Sequence, residues 1–425
     1  MGVKFRLTVM NFLQYAIWGA YLTSMGSYLV GVELASHIGI FYAMQGIVSL
    51  FMPAIVGIIA DRWVPAQRLL GICHLLAALF MGAAGYYALA TGEGVSFGVL
   101  FTLYSLSVAF YMPTIALSNS VAYCVLEGSG YDTVKSFPPI RVWGTVGFIC
   151  SMLLCDAAGF QTTYMQFVQC AVLGLVLGVY AMTLPSCPVS RGGERKSLVE
   201  ALGLRAFTLF KQRKMALFFI FSMLLGVSLQ ITNGFANPFI TSFRDIPQFA
   251  STFGANHANA LISLSQVSET LCILLIPFFL KRFGIKNVML MAMLAWVLRF
   301  GLFGLGNPGP GVWMFILSMI VYGVAFDFFN ISGSLFVNKE TDVAIRSSAQ
   351  GLFMIMTNGI GATIGTLGAQ AVVNRFVYSQ TDAEAMVAGW STSWLIFAGY
   401  ALVVALVFAL VFRYRHDPKT VGDVR

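Results

Sequence analysis

Apolar residues run along this chain in long blocks, each broken by a short stretch of polar, glycine or proline residues. A helix needs roughly 20 mostly apolar residues to cross a bilayer. Twelve blocks qualify, near 8–30, 36–60, 67–90, 95–126, 138–160, 163–184, 215–240, 256–280, 286–305, 311–337, 347–372 and 391–413. The fourth carries Pro113, which predicts a kink. The first holds Asn11, Gln14 and Trp18 and lacks a small-residue cleavage site, so it is expected to be retained as a span rather than removed as a leader. One long polar break, 186–214, separates the sixth block from the seventh and carries Arg191, Arg195, Lys196, Arg205, Lys211, Arg213 and Lys214. Within it Leu198, Leu202, Phe207 and Leu209 are spaced among the charges, the pattern of an amphipathic helix lying along the membrane surface.

Composition excludes a soluble domain. Of 425 residues, 58% are apolar and 10% are charged, against about 25% charged in ordinary globular chains. The surplus apolar surface must face lipid. The net charge of +8 could suggest nucleic acid, but its placement argues for topology instead. Lys4, Arg6, Arg62, Arg68, Lys135, the linker cations, Lys281, Arg282, Lys286, Lys339, Arg346, Arg413, Arg415, Lys419 and Arg425 all fall on one side of a twelve-span arrangement. The opposite loops hold only Arg244 and Arg375. The positive-inside rule then puts both termini and the linker in the cytoplasm. Seven cysteines form no CxxC pair and read as small packing residues.

Six spans, a basic linker and six more spans is the layout of the major facilitator fold: an all-α polytopic membrane protein with twelve transmembrane helices in two six-helix bundles. The expected parts are an N-terminal bundle at 1–185, the linker at 186–214 and a C-terminal bundle with a short tail at 215–425. The loop after span two, with Gly57, Asp61, Arg62 and Arg68, is matched after span eight by Lys281, Arg282, Gly284 and Lys286. Two short, basic, glycine-marked loops in corresponding places suit repeated halves, and Asp61 and Arg62 are the candidate gating residues.

Polar residues deep in spans mark a pathway, because burying them in lipid is costly. Arg141, Thr145 and Phe148 share one face of span five. Gln230 and Asn233 lie one turn apart in span seven, Gln266 and Glu269 in span eight, and Tyr322 and Phe326 in span ten. Gln230 and Glu269 fall near the middle of their spans, so these faces are expected to line a central cavity. Amides offer donor and acceptor together, which suits a nucleobase edge. Aromatic rings offer stacking surfaces, and a carboxylate can accept from ribose hydroxyls. A sugar fits this set almost as well, and any single amide could serve only to bridge helices.

The strings themselves are similar to those of a known family. Phe137-Pro-Pro-Ile-Arg141-Val-Trp143-Gly144-Thr145-Val-Gly147-Phe148 resembles the signature of bacterial nucleoside:proton symporters of the NupG type. So do Phe221-Ser-Met-Leu-Leu-Gly226 with Leu229-Gln230-Ile-Thr-Asn233, Ser265-Gln266-Val-Ser-Glu269-Thr270, and Tyr322-Gly-Val-Ala-Phe326-Asp327-Phe-Phe-Asn330-Ile-Ser-Gly333. The resemblance covers nearly the whole chain. It implies uptake of purine and pyrimidine nucleosides driven by the proton gradient. It also implies that Arg141, Thr145, Phe148, Gln230, Asn233, Gln266, Glu269, Tyr322 and Phe326 contact the nucleoside. Gly234, after Asn233, departs from the pattern and predicts a wider pocket, and the stretches 31–38, 250–257 and 374–389 differ most. Arg141 stands close to the expected start of span five, so either that helix begins earlier or the long side chain reaches inward.

Symport requires a group that gains and loses a proton as the cavity changes sides. Glu269 is the first choice because it shares the expected cavity with substrate; Asp327 is the second. Counting rise from the span ends puts Arg299 and Asp327 within ~5 Å in depth, so a buried structural ion pair between them is the leading expectation. His37, His74 and His257 each stand alone and read as structural. No HExxH, nucleophile cluster or metal-ligand spacing is present, so neither catalysis nor a cofactor is expected. The expected partners are nucleoside, protons and membrane lipid, with no nucleic acid, and the protein is expected to be a monomer. A proton-coupled symporter of sugars or another small polar metabolite remains the alternative on the same fold.

Overall fold

A computed structural model describes residues 2–188, 204–342 and 345–414. The linker positions Arg191, Arg195, Lys196, Leu198 and Leu202, the tail cations Arg415, Lys419 and Arg425, and the side chains of Asp61 and Arg205 lie outside the described residues. Every described regular element is helical. Contacts divide the chain into two units, Met1–Leu202 and Gly203–Arg425.

The first unit contains α1 (Val3–Gly19), α2 (Met25–Gly31), α3 (Ile38–Arg62), α4 (Ala66–Thr91), α5 (Phe97–Gly128), α6 (Thr133–Ala157) and α7 (Met165–Met182). The first expected span is thus divided at residues 20–24, where consecutive turns carry the chain into α2. The helix of α5 runs on through Pro113. α1 packs along α6, and α4 along α7. The α1–α6 contact is a backbone approach. A β-carbon at Gly147 would stand 2.1 Å from the Phe12 carbonyl oxygen, and one at Gly19 would stand 2.4 Å from that of Phe148. Only hydrogen fits at either place, which is how small residues bring membrane helices together without a hydrophobic drive.

The second unit contains α8 (Arg213–Leu229), α9 (Ile231–Ser242), α10 (Ala258–Leu305), α11 (Val312–Glu340), α12 (Arg346–Met354), a π-helical turn at Ile355–Gly361, α13 (Ala362–Phe376) and α14 (Ala383–Val411). At 48 residues, α10 would be ~72 Å long if straight, more than twice the hydrocarbon thickness of a bilayer. It is two helices that meet at Gly284, whose φ of 79° is open to glycine and strained for other residues. The basic, glycine-marked loop expected after span eight is this sharp corner. In the linker, the described part Leu204–Lys211 is a 3-10 helix. It has two faces, with Leu209 buried and Phe207 exposed; the rest of the stretch expected to form an amphipathic helix lies outside the described residues.

Ten helical stretches among the described residues are long and apolar enough to cross a membrane. That number includes α10 once, and α1, with 17 residues, falls short of the required length. Leu79, Tyr86, Leu274 and Leu410 are each more than 60% exposed. Water would penalise such a surface; hydrocarbon does not.

Candidate functional site

In the first unit α6 begins at Thr133. Arg141 therefore sits eight residues in, ~12 Å along the axis, which resolves the tension over its depth in favour of an earlier helix start. Its guanidinium lies 3.9 Å from the centre of the Tyr15 ring on α1. One and two turns further on are Thr145, half-buried, and Phe148, buried. Phe148 meets Trp18 edge-on with ring centres 6.4 Å apart. The α6 face chosen from spacing is thus walled by two aromatic residues of α1.

Behind that wall is a polar network. Trp18 Nε1 donates to Gln45 Oε1 at 3.3 Å, and Gln45 Nε2 donates to Tyr104 at 2.8 Å. Gln14 Nε2 donates to Thr114 at 2.8 Å, while Tyr111 donates to the Gln14 carbonyl at 2.7 Å. His74 Nε2 lies 2.7 Å from Gln14 Oε1. Burial makes such bonds obligatory, since each unmet polar group inside the bundle costs about 1–3 kcal/mol. Tyr15 and Trp18 join the candidate set. The signal that could have found them was present: residues 11, 14, 15 and 18 share one helical face, as the chosen residues of α6 do.

In the second unit the expected seventh span is interrupted at Gln230. Its backbone (φ −92°, ψ −10°) stands at the loose edge of the helical region, between α8 and α9. Asn233 Nδ2 donates to Gln230 Oε1 at 2.8 Å, so the two amides satisfy one bond between them. Gly234 is buried.

Gln266 and Glu269 lie half-buried on the first part of α10. On α11 the rings of Tyr322 and Phe326 stack with centres 5.6 Å apart and planes 17° from parallel. Tyr322 is within electrostatic reach of Glu269, Arg299 and Asp327. Of the faces expected from spacing to line one cavity, the fold gathers the α10 carboxylate and the α11 aromatics into one neighbourhood, together with Asp327.

The expected ion pair is corrected. Arg299 Nη1 donates to the Ser318 carbonyl at 2.7 Å and approaches Ser265 Oγ at 3.4 Å. Its guanidinium also lies 4.6 Å from the Tyr322 ring centre and 5.2 Å from that of Phe303. Asp327 is not among its partners, and Asp327 Oδ2 is buried without a hydrogen bond. The reason is depth. Arg299 is level with Ser318, nine residues before Asp327 on α11, which is ~13 Å of helix. Counting from span ends misjudged this because it leaves out the axial offset between the two helices, which is fixed here by Arg299 meeting Ser318 and Tyr322. The neighbour within reach of Asp327 is Glu269.

Arg62, the candidate gating cation, is the exposed last residue of α3. His37 stacks on Phe97 at 4.3 Å and His257 on Phe253 at 4.8 Å. Among the described residues no group of three His, Cys, Asp or Glu side chains could hold a metal ion.

The whole architecture aligns with solved transporters. A crystal structure of a D-xylose–proton symporter matches with a TM-score of 0.70 at 13% identity, covering 98% of this chain and 99% of that one. A likeness at that identity speaks for the fold alone, and with the apolar helices it defines an all-helical polytopic membrane protein. The profile of the family described as nucleoside H+ symporter matches residues 1–417. The chain belongs to that family. It is 47% identical to the nucleoside permease NupG of Escherichia coli (strain K12) over 421 residues, 98% of this chain and 97% of that one. It is also 47% identical to the xanthosine permease of the same organism, over 99% of this chain and 98% of that one. A crystal structure of the nucleoside transporter NupG superposes with a TM-score of 0.89 at 46% identity, covering 98% of this chain and all of that one.

Proposed function

We propose that this protein takes up nucleosides together with protons across the bacterial inner membrane by alternating access. The observation that carries the reading is membership of the nucleoside H+ symporter family along residues 1–417. Relatives named as nucleoside and xanthosine permeases support it at 47% identity. The chain is a transporter and not an enzyme.

The finer reading has twelve spans in two six-helix bundles, at 1–185 and 215–425, joined by the linker at 186–214, with both termini in the cytoplasm. It is supported by the bend at Gly284, which makes two spans of α10, by α1 and α2 together matching one span, and by the one-sided cations. Arg141, Thr145, Phe148, Gln230, Asn233, Gln266, Glu269, Tyr322 and Phe326 contact the nucleoside: aromatic rings stack on the base, and amides and charged groups bond its polar edges. Glu269 carries the coupled proton, and the nearby Asp327 responds to its charge. Asp61 and Arg62 gate the loop after α3. The protein works as a monomer.

The decisive experiment is uptake of labelled uridine and adenosine into proteoliposomes with and without an imposed pH gradient. The expected outcome is accumulation above the external concentration only with the gradient, without competition from sugars. Competition by a sugar at equal concentration would favour the metabolite alternative.

A further inference from the structure

The start of α8 and the end of α14 form an open groove of about 560 Å³ at the basic end of the second unit. Arg213, Lys214 and Arg413 line it together with Leu217, Leu410 and Val411. Lys214 is committed: its Nζ lies 2.7 Å from Glu340 and 4.7 Å from the centre of the Tyr414 ring. That pair uses the nearby acid. Arg213 and Arg413 have no ion-pair partner among the described residues. The first turn of α8 carries no acidic residue and no side-chain cap, so its free N–H groups add positive potential to that of the arginines.

The other half of the groove is apolar and continues outward. Leu410 is 77% exposed, and Leu406 and Val403, one and two turns back along α14, are 54% and 60% exposed. They form one strip, spaced i, i+3 and i+7, ending at the cations. A site for a free anion would have no use for that strip. A surface exposed only to acyl chains would not keep two guanidinium groups without an ion-pair partner among the described residues at its foot.

We infer that this groove binds an anionic phospholipid of the cytoplasmic leaflet. The headgroup phosphate lies between Arg213 and Arg413, whose planar forks match phosphate oxygens, and one acyl chain runs along Leu410, Leu406 and Val403. Basic pockets between transmembrane helices on the cytoplasmic side are where such headgroups are held. The inference rests on the proposed orientation and is independent of which substrate is carried.

The test is native mass spectrometry of the purified full chain in detergent, titrated with phosphatidylglycerol or with phosphatidylcholine of the same acyl chains. One retained phosphatidylglycerol per chain is expected, with little phosphatidylcholine. The double variant R213Q/R413Q is expected to bind phosphatidylglycerol about thirtyfold more weakly, about fivefold for each cation. R375Q, on the expected opposite side, should bind as the parent does. Should the double variant fail to fold, R213K/R413K, which keeps both charges, should retain the lipid while its binding falls as salt rises. Equal retention of the two lipids overturns the proposal, as does unchanged phosphatidylglycerol binding by R213Q/R413Q. Displacement of the lipid by inorganic phosphate at equal concentration would make this a free-anion site and equally overturn it. Because the readout is lipid retention, its failure leaves the uptake reading intact.

Discussion

The guanidinium of Arg299 lies 4.6 Å above the ring of Tyr322 and donates to the Ser318 carbonyl at 2.7 Å. A fully buried cation here is held by a π face and a backbone oxygen in place of a carboxylate. Arg299→Gln should therefore cost about 2 kcal/mol, whereas Asp327→Asn should change stability by less than about 0.5 kcal/mol. Exchanging the two charges should prevent folding, because an aspartate at 299 would face a π cloud and a carbonyl oxygen. Thermal unfolding in detergent, read by tryptophan fluorescence, checks all three. A double-mutant cycle with a coupling above about 1 kcal/mol would restore the direct ion pair.

Arg141 rests on Tyr15 at 3.9 Å, so the ring presets the direction in which the guanidinium can point. Tyr15→Leu removes that support and leaves the charge. Substrate affinity should fall about fivefold, the worth of one cation–π contact, with the thermal midpoint little changed. Binding of uridine by calorimetry reads the first quantity. Unaltered affinity would mean that Arg141 is positioned by something other than this ring.

Glu269 and Asp327 lie within electrostatic reach of one another. Glu269→Gln removes the titratable group while preserving shape and one donor. Counterflow of nucleoside across proteoliposomes should persist, and accumulation driven by a pH gradient should vanish. Gradient-driven accumulation by the Glu269→Gln variant would move the coupling role elsewhere.

The α1–α6 contact depends on a missing side chain. A β-carbon at Gly147 would meet the Phe12 carbonyl oxygen at 2.1 Å, and the rigid backbone on both sides cannot yield. Gly147→Ala should cost about 1–3 kcal/mol by overpacking, and Gly147→Leu should abolish expression. Size-exclusion profiles of fluorescently tagged protein report both.

Cys187 follows α7, outside the membrane-spanning segments. Burial, and then the neighbouring Cys124 thiol, push its thiol up to about 12. Only the thiolate attacks maleimide, so at pH 8 the reactive fraction is about a thousandfold smaller than for an ordinary cysteine thiol near 9. Labelling of the native protein should be slow at pH 8 and rise about tenfold per unit of pH towards 11. Fast labelling at pH 8 would show the site to be open.

Much of this protein was legible in the order of its residues. Helix positions follow from apolar length because lipid cannot satisfy exposed backbone. The corner at Gly284 and the shared face of Arg141, Thr145 and Phe148 were legible for the same reason: each depends on neighbours only a few residues away.

Tertiary structure decided the rest. Nothing local says that Arg141 meets Tyr15, that Trp18 turns its edge to Phe148, or that Gln14 joins His74 to Thr114, since those partners are separated by tens of residues. The interruption at Gln230 is likewise absent from the apolar pattern, which continues through it. The misplaced Arg299–Asp327 pair has the same origin. Rise per residue gives depth along one helix, but the offset between two helices is fixed by how their side chains pack, here by Ser318 and Tyr322 meeting Arg299. Periodicity reports which way a residue points; only packing reports what it meets.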